Sequence, residues 1–149
     1  MIFFSDRDLG SKIFPTILRQ SGIQLEIHDD HFGPETWDEE WITEAGQRGW
    51  YCVSRNKDIR YKKNEIKAVM SAGVGLFILV GPTATHEELA KNFVRTIAGI
   101  QRFTERHERP FIAKVRRPAN PRSQGSSELR SGRVELWTDY EQWRSCLQK

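Results

Sequence analysis

Strand-like and helix-like segments alternate along this chain four times, and a fifth strand closes the series. "IFF" at 2 to 4 reads as a short buried strand, stopped by Ser5-Asp6-Arg7-Asp8. From Gly10 to Gly22, Ile13, Ile17 and Leu18 recur at helical spacing, with Pro15 suited to the first turn and Gly22 to the stop. "IQLEIHDD" alternates Ile23, Leu25 and Ile27 with Gln24 and Glu26, a strand with one wetter face. Thr36 and Glu39 have capping-box spacing ahead of a helix in which Trp37, Trp41 and Ala45 repeat every four residues. "GWYCVSR" is the third strand and "NEIKAVMSAG" the third helix. "VGLFILVG" is the most hydrophobic strand and therefore central. Thr85 and Glu88 form a second capping box, opening a helix striped by Leu89, Phe93, Ile97, Ile100 and Phe103, and "PFIAKVRR" follows as strand five. Such alternation predicts an α/β fold, a three-layer α/β/α sandwich around a central, mainly parallel sheet.

The 149 residues suit a single core. The domain is expected to span 1–117. Residues 118–132, rich in Pro, Ser and Gly, read as a flexible linker, and 133–149 as a C-terminal strand-helix extension carrying Trp137, Trp143 and Leu147. The apolar run at 74 to 80 is too short to cross a bilayer, and "MIFFSDRD" lacks the basic lead of a signal peptide, so no membrane partner is expected. Cys52 and Cys146 have no metal or disulfide spacing. Cys52 reads as a buried thiol, and a cytoplasmic location follows by default.

A net charge of +3 hides an uneven distribution. Acids crowd positions 26 to 44, whereas Arg109 to Arg133 is basic, a pattern fitting either a metal-dependent enzyme acting on a polyanion or plain solvated surface. In an open parallel sheet, ligands gather at the carboxyl ends of the strands. Asp6 ends strand one, Asp29 and Asp30 end strand two, Asn56 and Asp58 follow strand three, and Asp38, Glu39 and Glu40 open the helix before it. Converging carboxylates with no histidine or cysteine favour Mg²⁺ or Mn²⁺. Each acid taken alone fits a helix cap or turn equally well. The four histidines show no metal spacing and read as surface residues.

Three segments together, "FFSDRDLGSKI", "DEEWITEAGQRGWYCVSRNKDIRY" and "PFIAKVRR", resemble the PIN-like domain proteins, the superfamily of the VapC-type toxins. The likeness covers residues 1 to 117 and is nearest to the branch with an Asp-Arg pair after strand one and "RGW" entering strand three. It implies a Mg²⁺- or Mn²⁺-dependent ribonuclease whose acids hold the metal. Matched by position, these are Asp6 and Asp38, with Glu39 as a possible substitute. Where the family has Thr or Ser, any residue, then Asp, this chain has Ser54, Arg55 and Asn56. Asparagine brings an oxygen but no charge. If the chain stays extended, Asp58 points to the same side as Asn56 and replaces the missing carboxylate.

The expected function is a metal-dependent endoribonuclease toxin, hydrolysing RNA phosphodiesters with Asp6, Asp38, Asn56 and Asp58 at the centre. Arg7, Lys57, Arg60 and Lys114 are candidate contacts to RNA phosphates. The resemblance also implies a small antitoxin partner and a homodimer. The competing expectation is a PIN-like module that binds without catalysis, favoured by Asn56. A phosphoacceptor receiver domain shares the alternation but needs an Asp directly ending strand three, where Ser54 and Arg55 stand.

Overall fold

The computed structural model describes residues 1–118 and 131–147, without the side chains of Lys57 and Arg60. The 118–132 linker expectation falls almost wholly outside the described residues. In chain order the elements are β1 (Phe3–Ser5), α1 (Ile13–Gln20), β2 (Leu25–Ile27), α2 (Asp38–Gln47), β3 (Tyr51–Ser54), α3 (Lys63–Ala72), β4 (Gly75–Val80), α4 (His86–Arg106), β5 (Phe111–Arg116), β6 (Arg133–Asp139) and α5 (Tyr140–Leu147). Short 3-10 turns follow the first three strands at Arg7–Leu9, His28–Asp30 and Lys57–Tyr61.

The sheet runs β2-β1-β3-β4-β5-β6. Every pairing among the first five strands is parallel, and β6 adds antiparallel to β5. Chain order reverses at β1, which lies between β2 and β3, so the crevice beyond β1 and β3 is the topological switch point.

Strand alternation divides the core into two layers. Phe3, Val53, Phe77, Phe111 and Ala113 pack on one side with Phe14 and Leu18 of α1 and Phe93 and Ile100 of α4. Phe4, Cys52, Leu76, Ile78 and Ile112 pack on the other with Trp41 and Ile42 of α2 and Val69 and Met70 of α3. Trp137 and Trp143 lie against this second layer, so the C-terminal tryptophans cover the chain's own sheet. A Cβ on Gly46 would come within 2.4 Å of the Ala72 carbonyl oxygen, so the absent side chain is what lets α2 approach α3. Cys52 is buried as read, and burial pushes its thiol well up, leaving it inert.

Three local expectations need correction. The Thr85–Glu88 capping box forms, but the Thr36–Glu39 box does not: α2 begins at Asp38, Trp37 is its cap residue, and no side chain caps it. Trp37 also leaves the expected stripe and is 70% exposed, because the buried face of α2 is set by Trp41, Ile42 and Ala45. His28 is not a surface residue. It is buried beside the Phe4 and Phe32 rings, and burial lowers its pKa.

Candidate active site

β1 is short and fully buried, and its direction delivers Asp6 to the switch point. The Asp6 amide donates to the Val53 carbonyl at 2.9 Å, so the backbone is still tied to β3 where the side chain leaves the sheet. Asp6 Oδ1 accepts from the Arg7 amide at 2.6 Å, which starts the 3-10 turn. Its Oδ2 accepts from Ser54 Oγ at 2.9 Å. Ser54 is the last residue of β3 and wholly buried. Its hydroxyl also lies 3.4 Å from Asp8 Oδ2 and accepts from the Asn56 amide at 2.9 Å. Asp8 Oδ1 accepts from the Arg55 amide at 3.4 Å. One hydroxyl thus bridges two carboxylates and the backbone beyond β3.

Asp38 joins through α2. It is the first residue of that helix, where a carboxylate meets the positive end of the dipole. Its Oδ1 accepts from Trp41 Nε1 at 2.9 Å. Trp41 is buried on the Phe4 ring at 5.6 Å, and Phe4 in turn stacks on Trp50 at 5.5 Å. Since Phe4 stands two residues before Asp6, the same aromatic layer positions both acids.

The charge of Asp38 reaches both Asp6 and Asp8. Burial, then the charges of Asp8 and Asp38, push Asp6 up from 3.8 to about 7, against the hydrogen bonds from Ser54 and Arg7. Asp8 is raised as well, mainly by burial, with the Arg55 amide and guanidinium opposing. Carboxylates so placed are costly to ionise together, and a bound cation would relieve that cost. Oxygen donors without sulfur or imidazole fit a hard divalent ion in chemistry. In geometry the fit is partial: among the described residues no three His, Cys, Asp or Glu side chains converge as a ready metal cage. Asp6 and Asp8 are drawn together by Ser54, and Asp38 is held one step out by Trp41.

The chain does not stay extended past Ser54, so the premise that placed Asp58 beside Asn56 fails. Asn56 instead caps the 3-10 turn, its Oδ1 accepting from the Asp58 amide at 3.1 Å. Asp58 is exposed in that turn and, like Glu39, is not among the charges that shift Asp6 or Asp8 most. Arg7 is exposed next to the acids and donates to the Pro34 carbonyl at 2.7 Å. The side chains of Lys57 and Arg60 lie outside the described part of the structure. Lys114 lies two strands away in β5, 4.0 Å from Glu135 of β6.

Asp8 is the carboxylate that sequence reasoning missed. Its signal was present as Asp-Arg-Asp at a strand end, but only the 3-10 turn brings its carboxylate back toward Ser54. Ser54 was legible as part of the Ser-x-Asn stretch, though not as a bridge.

Comparison with known proteins gives the chain a family. A model described as "PIN like domain" matches residues 1–81, which span β1 to β4 and all three acids. A Mycobacterium tuberculosis protein named putative ribonuclease VapC45 is 29% identical over 116 residues, covering 75% of this chain and 83% of that protein. With the 2-1-3-4-5 parallel order and acids gathered where that order reverses, the matched model shows that this chain belongs to the PIN-like domain family.

Proposed function

We propose that the protein is an endoribonuclease that hydrolyses RNA phosphodiesters with a divalent cation, Mg²⁺ or Mn²⁺, held by Asp6 and Asp8 with Asp38 close by. The observation that carries this reading is the pair Asp6 and Asp8 at the switch point, both raised chiefly by burial and joined by the buried Ser54 hydroxyl. A cation bound there would polarise the phosphodiester and lower the pKa of the attacking water. The chain's own groups do the rest. Ser54 orients both carboxylates, Trp41 orients Asp38, and Arg7 and Arg55 are available at the rim for phosphate oxygens. The likeness to a VapC-named protein supports the further reading of a toxin held in check by a small antitoxin.

A second reading, a PIN-like module that binds without cleaving, is favoured by one observation. The Asn56 side-chain oxygen is engaged as a turn cap, so the position where the family pattern has an acid supplies no charge. Incubating total RNA with the purified protein, with Mn²⁺, with Mg²⁺ and with chelator, separates the two. Metal-dependent cleavage that disappears in Asp6→Asn and persists in Asp58→Asn supports the nuclease and its acid set. Absence of cleavage by folded, metal-loaded protein rejects it.

A further inference from the structure

A second concentration of charge, opposite in sign, lies at the carboxyl ends of β4 and β5. Past Val80 the chain turns through Gly81-Pro82, and past Arg116 it reaches Arg117, whose Nη2 donates to the Pro82 carbonyl. Between these turns and α4 is a cavity of about 620 Å³ walled by Lys91, Arg95, Arg116 and Arg117, with Glu88 its one carboxylate among the described residues. Glu88 is already committed to the α4 capping box with Thr85. Lys91 pairs with Glu87 at 2.7 Å and Arg116 with Glu135 at 2.9 Å. The Arg95 side chain makes no hydrogen bond or ion pair among the described residues.

The wall is also short of partners. Five buried side-chain polar atoms lack a hydrogen bond among the described residues, and three of them, Asn92 Oδ1, Arg95 Nε and Arg117 Nε, belong to residues lining this cavity. Asn92 itself is only 4% exposed. Leaving such groups unpaired is costly, and concentrating them in one wall indicates that something else pairs with them. A smaller cavity of about 230 Å³ shares Val80, Gly81, Pro82 and Arg117 with the large one and extends to Arg55. Arg55 in turn borders Asp8. The cations therefore form a path along the sheet edge, from the acidic cluster to the cavity.

We infer that this cavity is a subsite for the RNA strand beside the scissile bond, taking a backbone phosphate on Arg95 and Arg117. This deepens the ribonuclease reading and rests on it. Guanidinium groups suit phosphate oxygens in fork geometry. The Asn92 oxygen, an acceptor, has no use for a phosphate oxygen but complements a ribose hydroxyl, and a ribonucleotide carries both.

The test is binding of a labelled single-stranded RNA of about 12 nucleotides to the full chain in chelator, by fluorescence anisotropy at about 50 to 200 mM salt. Wild type is compared with Arg95→Gln/Arg117→Gln and with Lys63→Gln/Lys67→Gln, a charge-matched control on exposed positions of α3, across the sheet. The cavity variant should bind roughly tenfold or more weakly, with a slope of log affinity on log salt shallower by about 0.7 to 1.4, while the control stays near wild type. Equal weakening in both variants, a wild-type slope in the cavity variant, or no RNA binding by wild type overturns the subsite. Should the double variant fail to fold, Arg95→Gln alone serves, because that residue gives up no hydrogen bond among the described residues. Cleavage with Mn²⁺ is measured separately. A changed slope without cleavage keeps the subsite and removes the nuclease, and cleavage with an unchanged slope does the reverse.

Discussion

The Ser54 hydroxyl donates to Asp6 Oδ2 at 2.9 Å across 48 residues of chain, and the same oxygen accepts from the Asn56 amide. That contact joins the ends of β1 and β3 and counters the rise in the Asp6 pKa. Ser54→Ala should therefore drive Asp6 further up and move the acid limb of the cleavage profile to higher pH. It also leaves a buried amide and a carboxylate short of a partner, at a cost of about 1–3 kcal/mol in stability. A pH–rate profile beside a denaturant titration reads both effects. An unmoved profile would show that Ser54 only packs.

Asp6 itself should weaken the metal-free fold. Its folded-state value, about 7, lies above the ordinary 3.8, so the native protein holds the proton more tightly than the unfolded chain. Stability tied to this group is fully present below pH 3.8 and is lost as pH rises through about 7. Asp6→Asn, assayed in chelator, should raise stability at pH 8 by about 1–3 kcal/mol and change it little at pH 4. Melting curves at both pH values decide the matter. A difference of the same size at each pH would point to packing and away from ionisation.

Trp41 links the aromatic layer to the acids. Trp41→Phe keeps most of the buried ring on Phe4 but removes the donor to Asp38 Oδ1. Cleavage should fall roughly five- to tenfold through misplacement of the carboxylate, with the fold losing about 1–2 kcal/mol. Trp41→Ala should cost about 3–5 kcal/mol by opening a cavity in the core. Undiminished cleavage by Trp41→Phe would remove Asp38 from the acid set.

Asn56→Asp restores a charge without giving up the cap, because aspartate also accepts from the Asp58 amide. Mn²⁺ affinity should rise roughly tenfold, as an added anionic ligand tightens a hard-ion site. Calorimetric titration of Mn²⁺ into both proteins measures it directly. Unchanged affinity would mean that this position lies too far from the cation to contribute.

Local chemistry was enough to read the layers from the sequence alone. Period-two alternation in "IQLEIHDD", the stripe Leu89, Phe93, Ile97, Ile100 and Phe103, and the Thr85–Glu88 box all depend on neighbours within a few residues; the box and the stripe formed, with Ile97 partly buried, and the strand formed over Leu25–Ile27 only. The parallel sheet followed, because parallel neighbours need a crossover connection and a helix after each strand supplies one. The Thr36–Glu39 box failed for the opposite reason: burial of Trp41 and Ile42 sets where α2 starts, and that is decided by the core on β1.

The acid set had the same division. Strand ends and a helix start offered several acids from sequence, and the PIN-like resemblance singled out Asp6 and Asp38 among them. Which carboxylate would join them could not. Asp8 and Asp58 each stand two residues beyond a candidate ligand, and pattern alone favoured Asp58. The 3-10 turn at Arg7–Leu9 brings Asp8 back to Ser54, whereas the turn at Lys57–Tyr61 carries Asp58 out to solvent. Contacts 46 and 48 residues apart, made by one buried hydroxyl, are long-range packing outcomes that no window of sequence contains.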